Sequence, residues 1–288
     1  MKFSLYVALV LLLITGCQDS SSPGDSYGLT QSEAVLVTSA AGAKLAEAAP
    51  IFFTAEAASQ TVRVRVRPEA LKQVITGIGT SFTESSAFVL AHLPEEERQR
   101  VMTRIYSEQG ANFSLARTPI GSTDFSVEGR YSYAPSANDQ GLEQFSIAPD
   151  QAGFDSERYP SLESPDYDVL PMIQEALAIK SRQRDSTLNI IASAWTAPPW
   201  MKTIDDWFIP GSEENDYQGT GGALKPGFEG LYADYLIRYL DAYQEVGVSI
   251  WGITPVNEPE GNSGQWESMH FTPESQAQFI KDHLGPKL

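Results

Sequence analysis

The chain has 288 residues, 42% of them apolar and 20% charged, a globular balance with room for one large domain or two small ones. Its net charge of −17 argues against nucleic acid and anionic membrane surfaces as partners, because both repel an acidic protein. A single cysteine, Cys17, excludes an intrachain disulfide.

That cysteine closes a leader. Lys2 supplies a positive start, residues 3–14 are apolar but too few to span a bilayer as a mature helix, and Thr15 and Gly16 lead into Cys17. The pattern resembles the lipobox of bacterial lipoproteins, which implies cleavage before Cys17, lipidation of Cys17 and a lipid anchor to the membrane. Gln18, rather than Asp, follows the cysteine, and the resemblance then points to an exported lipoprotein of the outer membrane. Residues 18–32 are rich in Ser, Gly and Asp and read as a flexible tether. Residues 33–38 read as a strand and 40–42 as its turn. Residues 61–67 alternate Val and Arg, with Val62, Val64 and Val66 on one face, the pattern of a half-buried antiparallel strand. Residues 33–70 thus read as strands of a small β layer.

From Gln73 the pattern changes to alternating strands and helices, and residues 71–288 read as one domain. The spacing predicts a strand at 74–79, then a loop with Ser81, Thr83 and Glu84. A helix follows, with Pro94 and three glutamates in its first turn and Gly110 past its end. A strand at 112–120 delivers Arg117 and then Asp124. A long polar loop leads to a helix at 168–180, which tolerates Pro171 only in its first turn. A strand at 188–194 ends at Trp195, with Trp200 five residues on. After a Gly-rich insertion comes a helix at 228–246, whose Tyr232, Tyr235, Leu236, Tyr239, Leu240 and Tyr243 recur at three- and four-residue spacing, with Gly247 ending it. A short apolar strand at 250–253 ends at Asn257 and Glu258, where Pro259 biases the acid towards an extended backbone. A last helix begins near Thr272. Four strand–helix units of this kind require a parallel sheet, in a barrel or doubly wound, and chemistry is then expected at the C-terminal rim.

The rim residues are Glu84, Arg117, Asp124, Trp195, Trp200, Asn257 and Glu258. No strand is followed by a Gly-rich phosphate loop or a nucleophile elbow, and the three histidines (His92, His270 and His283) are scattered, which favours structural or surface roles over metal ligation. Carboxylates beside indoles and an amide suit a sugar ring and acid-assisted glycosidic cleavage. Four segments appear in order: TGIGTSFTE at 76–84, ARTPIGSTDFS at 116–126, SAWTAPPWMK at 193–202 and TPVNEPE at 254–260. Together they resemble glycoside hydrolase family 30, the glucosylceramidase family, over residues 33–288. The resemblance implies an α/β fold, a (β/α)8 TIM barrel of which about the first four units are present, with the N-terminal strands joining an accessory β-sandwich. It also implies retaining cleavage of β-glycosides with no metal and no cofactor. Glu258 becomes the general acid/base and Asn257 the ligand of the 2-hydroxyl. Asp124 and Trp195 bind the outer hydroxyls of the glycone, and Arg117 orients the nucleophile. Trp200 is read as packing.

The family nucleophile is a second glutamate after the seventh strand, and this chain stops after the fourth unit. The expectation is a fragment of a longer product, inactive and aggregation-prone by itself. Retaining chemistry needs two carboxyl groups about 5–5.5 Å apart, and neither Glu84, Asp124 nor Glu260 is promoted to the second role. Within the family the alternatives are an endo-β-1,6-glucanase or a xylan-active enzyme. Outside it, the alternative is a non-catalytic surface lipoprotein that binds glycans. The insertion 205–226 and the loop 261–270, with Trp266, are expected to shape the aglycone side.

Overall fold

The computed structural model describes residues 31–32, 34–53, 65–137, 139–261 and 264–288. The leader, its Cys17 and nearly all of the tether lie outside the described residues, as does most of the Val/Arg strand expected at 61–67. The chain divides into two compact units between Lys72 and Gln73.

In the first unit, β1 (Leu36–Val37) pairs antiparallel with β2 (Ala46–Glu47) in a hairpin. Gly42, at a backbone φ of +103°, occupies the turn, a region open to glycine without steric cost. A bridge between Gln31 and Phe52 extends the pairing. The strand read at 33–38 is therefore present in shortened form, and β2 had no sequence signal strong enough to single it out.

The second unit is built on four parallel strands in the order β3 (Gly79–Ser81), β4 (Leu115–Ile120), β5 (Asn189–Ala194) and β6 (Gly252–Thr254). Thr80 lies opposite Ala116, Ala116 opposite Ile190, and Ala192 opposite Ile253. Helices fill each crossover: α1 (Glu84–Ala91) and α2 (Glu95–Tyr106) after β3, α3 (Val169–Lys180) after β4, and α4 (Glu229–Glu245) after β5. α5 (Pro273–Phe279) follows β6 and runs into a π turn at Ile280–Leu284.

Burial alternates along β4 with a period of two. Ala116, Thr118 and Ile120 are buried, whereas Leu115, Arg117 and Pro119 are partly exposed. On β5, Ile190, Ala192 and Ala194 continue the buried face. These small residues share one apolar core with Tyr232, Tyr235, Tyr239 and Tyr243 of α4. The wide tyrosine stripe and the narrow alanine face complement each other in volume. Tyr232 also donates to the Pro255 carbonyl at 2.5 Å, fixing the chain just beyond β6.

Several boundaries differ from the sequence reading. The strand expected at 74–79 begins only at Gly79, and Val74, Ile75 and Ile78 are exposed. An added Cβ on Gly79 would lie 1.3 Å from the Leu115 carbonyl oxygen, so the strands approach only because that residue is glycine. Of the loop expected at 81–84, Ser81 ends β3 and Glu84 begins α1, which is capped by the Thr83 side chain accepting from the Ser86 N–H. The strand expected at 112–120 begins at Leu115, because Asn112 sits at a φ of +49° in the preceding turn. The strand expected buried at 250–253 lies at Gly252–Thr254 and is half-buried, with Trp251 59% exposed before it.

Candidate functional site

The rim starts with Arg117, near the middle of β4. Its guanidinium donates to Ser193 Oγ at 2.9 Å and to Asn257 Oδ1. It also lies 4.6 Å from the centre of the Trp195 ring, a cation–π contact. Trp195 Nε1 donates to Asp124 Oδ1 at 3.0 Å. Asp124, Trp195, Arg117 and Asn257 thus form one unbroken chain of contacts across the ends of β4, β5 and β6. Burial lowers the Arg117 pKa, and the charges of Glu258 and Asp124 oppose that shift.

Glu258 sits beside this chain, exposed at the surface. Its backbone is well fixed. The Glu258 carbonyl accepts from the Gly261 N–H at 3.0 Å, and the Pro259 carbonyl accepts from the Phe271 N–H at 3.0 Å. An added Cβ on Gly261 would meet Glu258 Cβ at 2.9 Å, so glycine lets the turn fold tightly behind the acid. The result is a carboxyl group standing at the edge of the sheet next to an amide and a guanidinium. Between the strands and α1 opens a cavity of about 710 Å³, lined in part by Ser81, Ser85, Arg117, Phe125 and Trp195. Asn257 and Glu258 do not line it.

The remaining rim candidates do other things. Trp200 is buried and donates from Nε1 to the Ala134 carbonyl at 2.8 Å, which is packing, as expected. Glu260 is exposed two residues beyond Glu258. Glu84 is 6% exposed and accepts from the Val127 N–H. Burial raises its pKa to about 7, against the lowering effect of that backbone bond and with Asp168 and Glu128 adding repulsion.

Sequence reasoning missed two buried networks behind the rim. Lys202 ends the third quoted motif, and its ammonium donates to the Trp207 carbonyl at 2.6 Å and the Ser268 carbonyl at 2.9 Å. Burial lowers its pKa to about 7, opposed by Asp206 and Glu267. Glu267, itself buried, accepts from Ser122 Oγ at 3.3 Å and pairs with Arg130 at 3.3 Å. The insertion after β5 and the loop after β6 also touch through glycines. A Cβ on Gly264 would lie 2.4 Å from Gly219 Cα. The two loops that were expected to shape the aglycone side therefore form one joined wall. The second network is Asp150, 2% exposed, which accepts from the hydroxyls of Tyr131 (2.8 Å), Tyr133 (2.6 Å) and Tyr243 (2.6 Å). Nothing in the local sequence marks Asp150, because its three partners lie on two distant segments.

The Glycosyl hydrolase family 30 TIM-barrel domain matches residues 75–288. The chain belongs to glycoside hydrolase family 30. Within that family it is similar to the lysosomal acid glucosylceramidase of Mus musculus, at 30% identity over 77% of this chain and 39% of the mouse protein. Among solved structures it is similar to SrfJ from Salmonella typhimurium, with a TM-score of 0.62 and 27% identity over 85% of this chain and 47% of that one. It is also similar to the endo-beta1,6-glucanase BT3312, with a TM-score of 0.59 and 28% identity over 77% of this chain and 43% of that one. The chain spans less than half the length of each of these relatives. Its four parallel strands and their crossover helices are part of a family 30 TIM barrel.

Proposed function

We propose that this chain supplies the glycone pocket and the acid/base of a retaining β-glycosidase acting on β-linked glucosyl groups. The observation that carries the reading is the contact chain from Asp124 through Trp195 and Arg117 to Asn257, with Glu258 at its end. In this reading Asp124 and Trp195 hold the outer hydroxyls and Asn257 holds the 2-hydroxyl, a contact that strengthens in the transition state. Glu258 gives its proton to the glycosidic oxygen as that bond breaks, and the anomeric carbon bonds to a second carboxylate. Glu258 then takes a proton from the water that displaces this carboxylate. The resemblance puts that second carboxylate after a seventh strand.

The test is Glu258→Gln in the full-length gene product, assayed on two β-glucosides. Loss of the acid is expected to slow an alkyl glucoside by about 10²-fold or more. An aryl glucoside with an acidic phenol leaving group needs little protonation, so its first step is expected to survive. Near-wild-type turnover of the alkyl glucoside would remove Glu258 from the mechanism.

A second substrate reading, an endo-β-1,6-glucanase, is favoured by the comparable similarity to BT3312. The joined wall of the loops after β5 and β6 is where the two substrates would be told apart. The reading also includes export and lipidation at Cys17, on the strength of the leader pattern. Cys17→Ser is expected to shift the protein from the membrane to the soluble fraction; unchanged membrane recovery would count against the anchor.

A further inference from the structure

Asp124 hangs from a turn that closes on itself. Thr123 accepts from Ser126 N–H through its carbonyl at 3.0 Å and from Phe125 N–H through its hydroxyl at 3.0 Å. Thr123 N–H in turn donates to Ser126 Oγ at 3.0 Å. These bonds shape the turn but do not fix its place against the sheet. Besides the Trp195 bond to Asp124 itself and the Ser122 bond to Glu267, two consecutive residues in the first turn of α1 hold it there. Ser85 donates to the Phe125 carbonyl from both its backbone N–H (3.0 Å) and its hydroxyl (2.5 Å). Glu84 accepts from the Val127 N–H with Oε2.

Glu84 is an unusual choice for a packing position. Among the described residues no cation forms an ion pair with it. The ionisable groups around it are Asp168 at the start of α3, and Glu128 and Tyr131 beyond the turn. Arg130 shares with it the lining of a cavity of about 350 Å³. A buried carboxylate without a cation is costly, and an apolar side chain of similar size would fill the space at less cost. What an apolar side chain cannot do is accept from Val127.

We propose that Glu84 is a positioning residue, whose carboxyl group holds the Val127 N–H and thereby fixes Asp124 in place to engage Trp195 and the sugar. The clamp is a statement about the turn; its consequence for sugar binding rests on the reading of Asp124 as a glycone ligand.

The experiment is hydrogen exchange at the Val127 amide, read by NMR in the full chain for wild type, Glu84→Ala and Glu84→Gln. The alanine removes the acceptor, whereas the glutamine keeps an amide oxygen in its place. Protection at Val127 is expected to fall about tenfold in Glu84→Ala, the size of one lost hydrogen bond. In Glu84→Gln it is expected to stay within about threefold of wild type, since the amide oxygen replaces the carboxyl acceptor. The amides of β4, such as Thr118, are expected to be unchanged in both. Three results would overturn the proposal: unchanged Val127 protection in the alanine variant, equal loss in both variants, or loss that spreads to β4 and so reports general packing. Calorimetry with methyl β-glucoside follows the consequence, with affinity expected to fall about tenfold in Glu84→Ala and to recover in Glu84→Gln. A wild type that binds no glucoside contradicts the glycone reading, while Val127 exchange still decides the clamp.

Discussion

Burial moves the pKa values of Glu84, Asp150 and Lys202 towards neutrality. The folded protein holds the proton on Glu84 up to about pH 7, whereas the unfolded chain releases it near 4.5. The native state therefore binds more protons in that window, so the contribution of Glu84 to stability is fully present below pH 4.5 and is lost as pH rises to about 7. Asp150, raised by burial to about 6 against the lowering effect of its tyrosine partners, acts in the same direction. Lys202, lowered to about 7, stays charged in both states below that pH and leaves the window undisturbed. Glu84→Gln is expected to stabilise the protein above pH 7 by roughly 1–3 kcal/mol relative to wild type, with the difference vanishing near pH 4. Urea unfolding at pH 4 and pH 8 measures it; an equal difference at both pH values would contradict the assignment. At this scale the sequence exposed the rim residues well, because strand ends and four ordered motifs point at them. It concealed Lys202 and Asp150, whose partners are backbone carbonyls and hydroxyls brought together only by the fold.

The helices show what local sequence can specify. α3 begins after Asp168, which accepts from the Val169 N–H at 2.7 Å and the Gly153 N–H at 3.0 Å, and Pro171 falls within the first turn, where proline is tolerated. Asp168→Ala is expected to cost about 1–3 kcal/mol, since it leaves two backbone donors short of an acceptor. Thermal unfolding checks this; a melting temperature equal to wild type would show that α3 does not depend on its cap. α4 was legible from its tyrosine spacing, and Gly247 ends it at a φ of +83°, as that position demands. α1 was not legible, because its eight residues carry no apolar stripe and its cap signal, Thr83, lies inside a motif that reads as a loop. The short strands β3 and β6 were misplaced by a few residues for a related reason. Their pairing is set by neighbours far along the chain, such as Leu115 opposite Gly79 and Ile191 opposite Gly252, while Val74, Ile75 and Trp251 read as strand by composition alone.

Across the second unit, alternating strands and helices dictate a parallel sheet, and the residues that follow its strands fall at one end of it. The sequence left barrel and doubly wound sheets equally open, and only the motif order decided between them. In the proposed reading this rim binds a β-linked sugar through Asp124 and Trp195. The most direct measurement follows the Trp195 indole N–H by NMR as methyl β-glucoside is added to the chain and to its Asp124→Ala variant. A saturable shift of that signal is expected in the wild type and its loss in the variant, with the remaining spectrum intact. An indole signal that stays fixed in the folded wild type, or that shifts equally without Asp124, would contradict it.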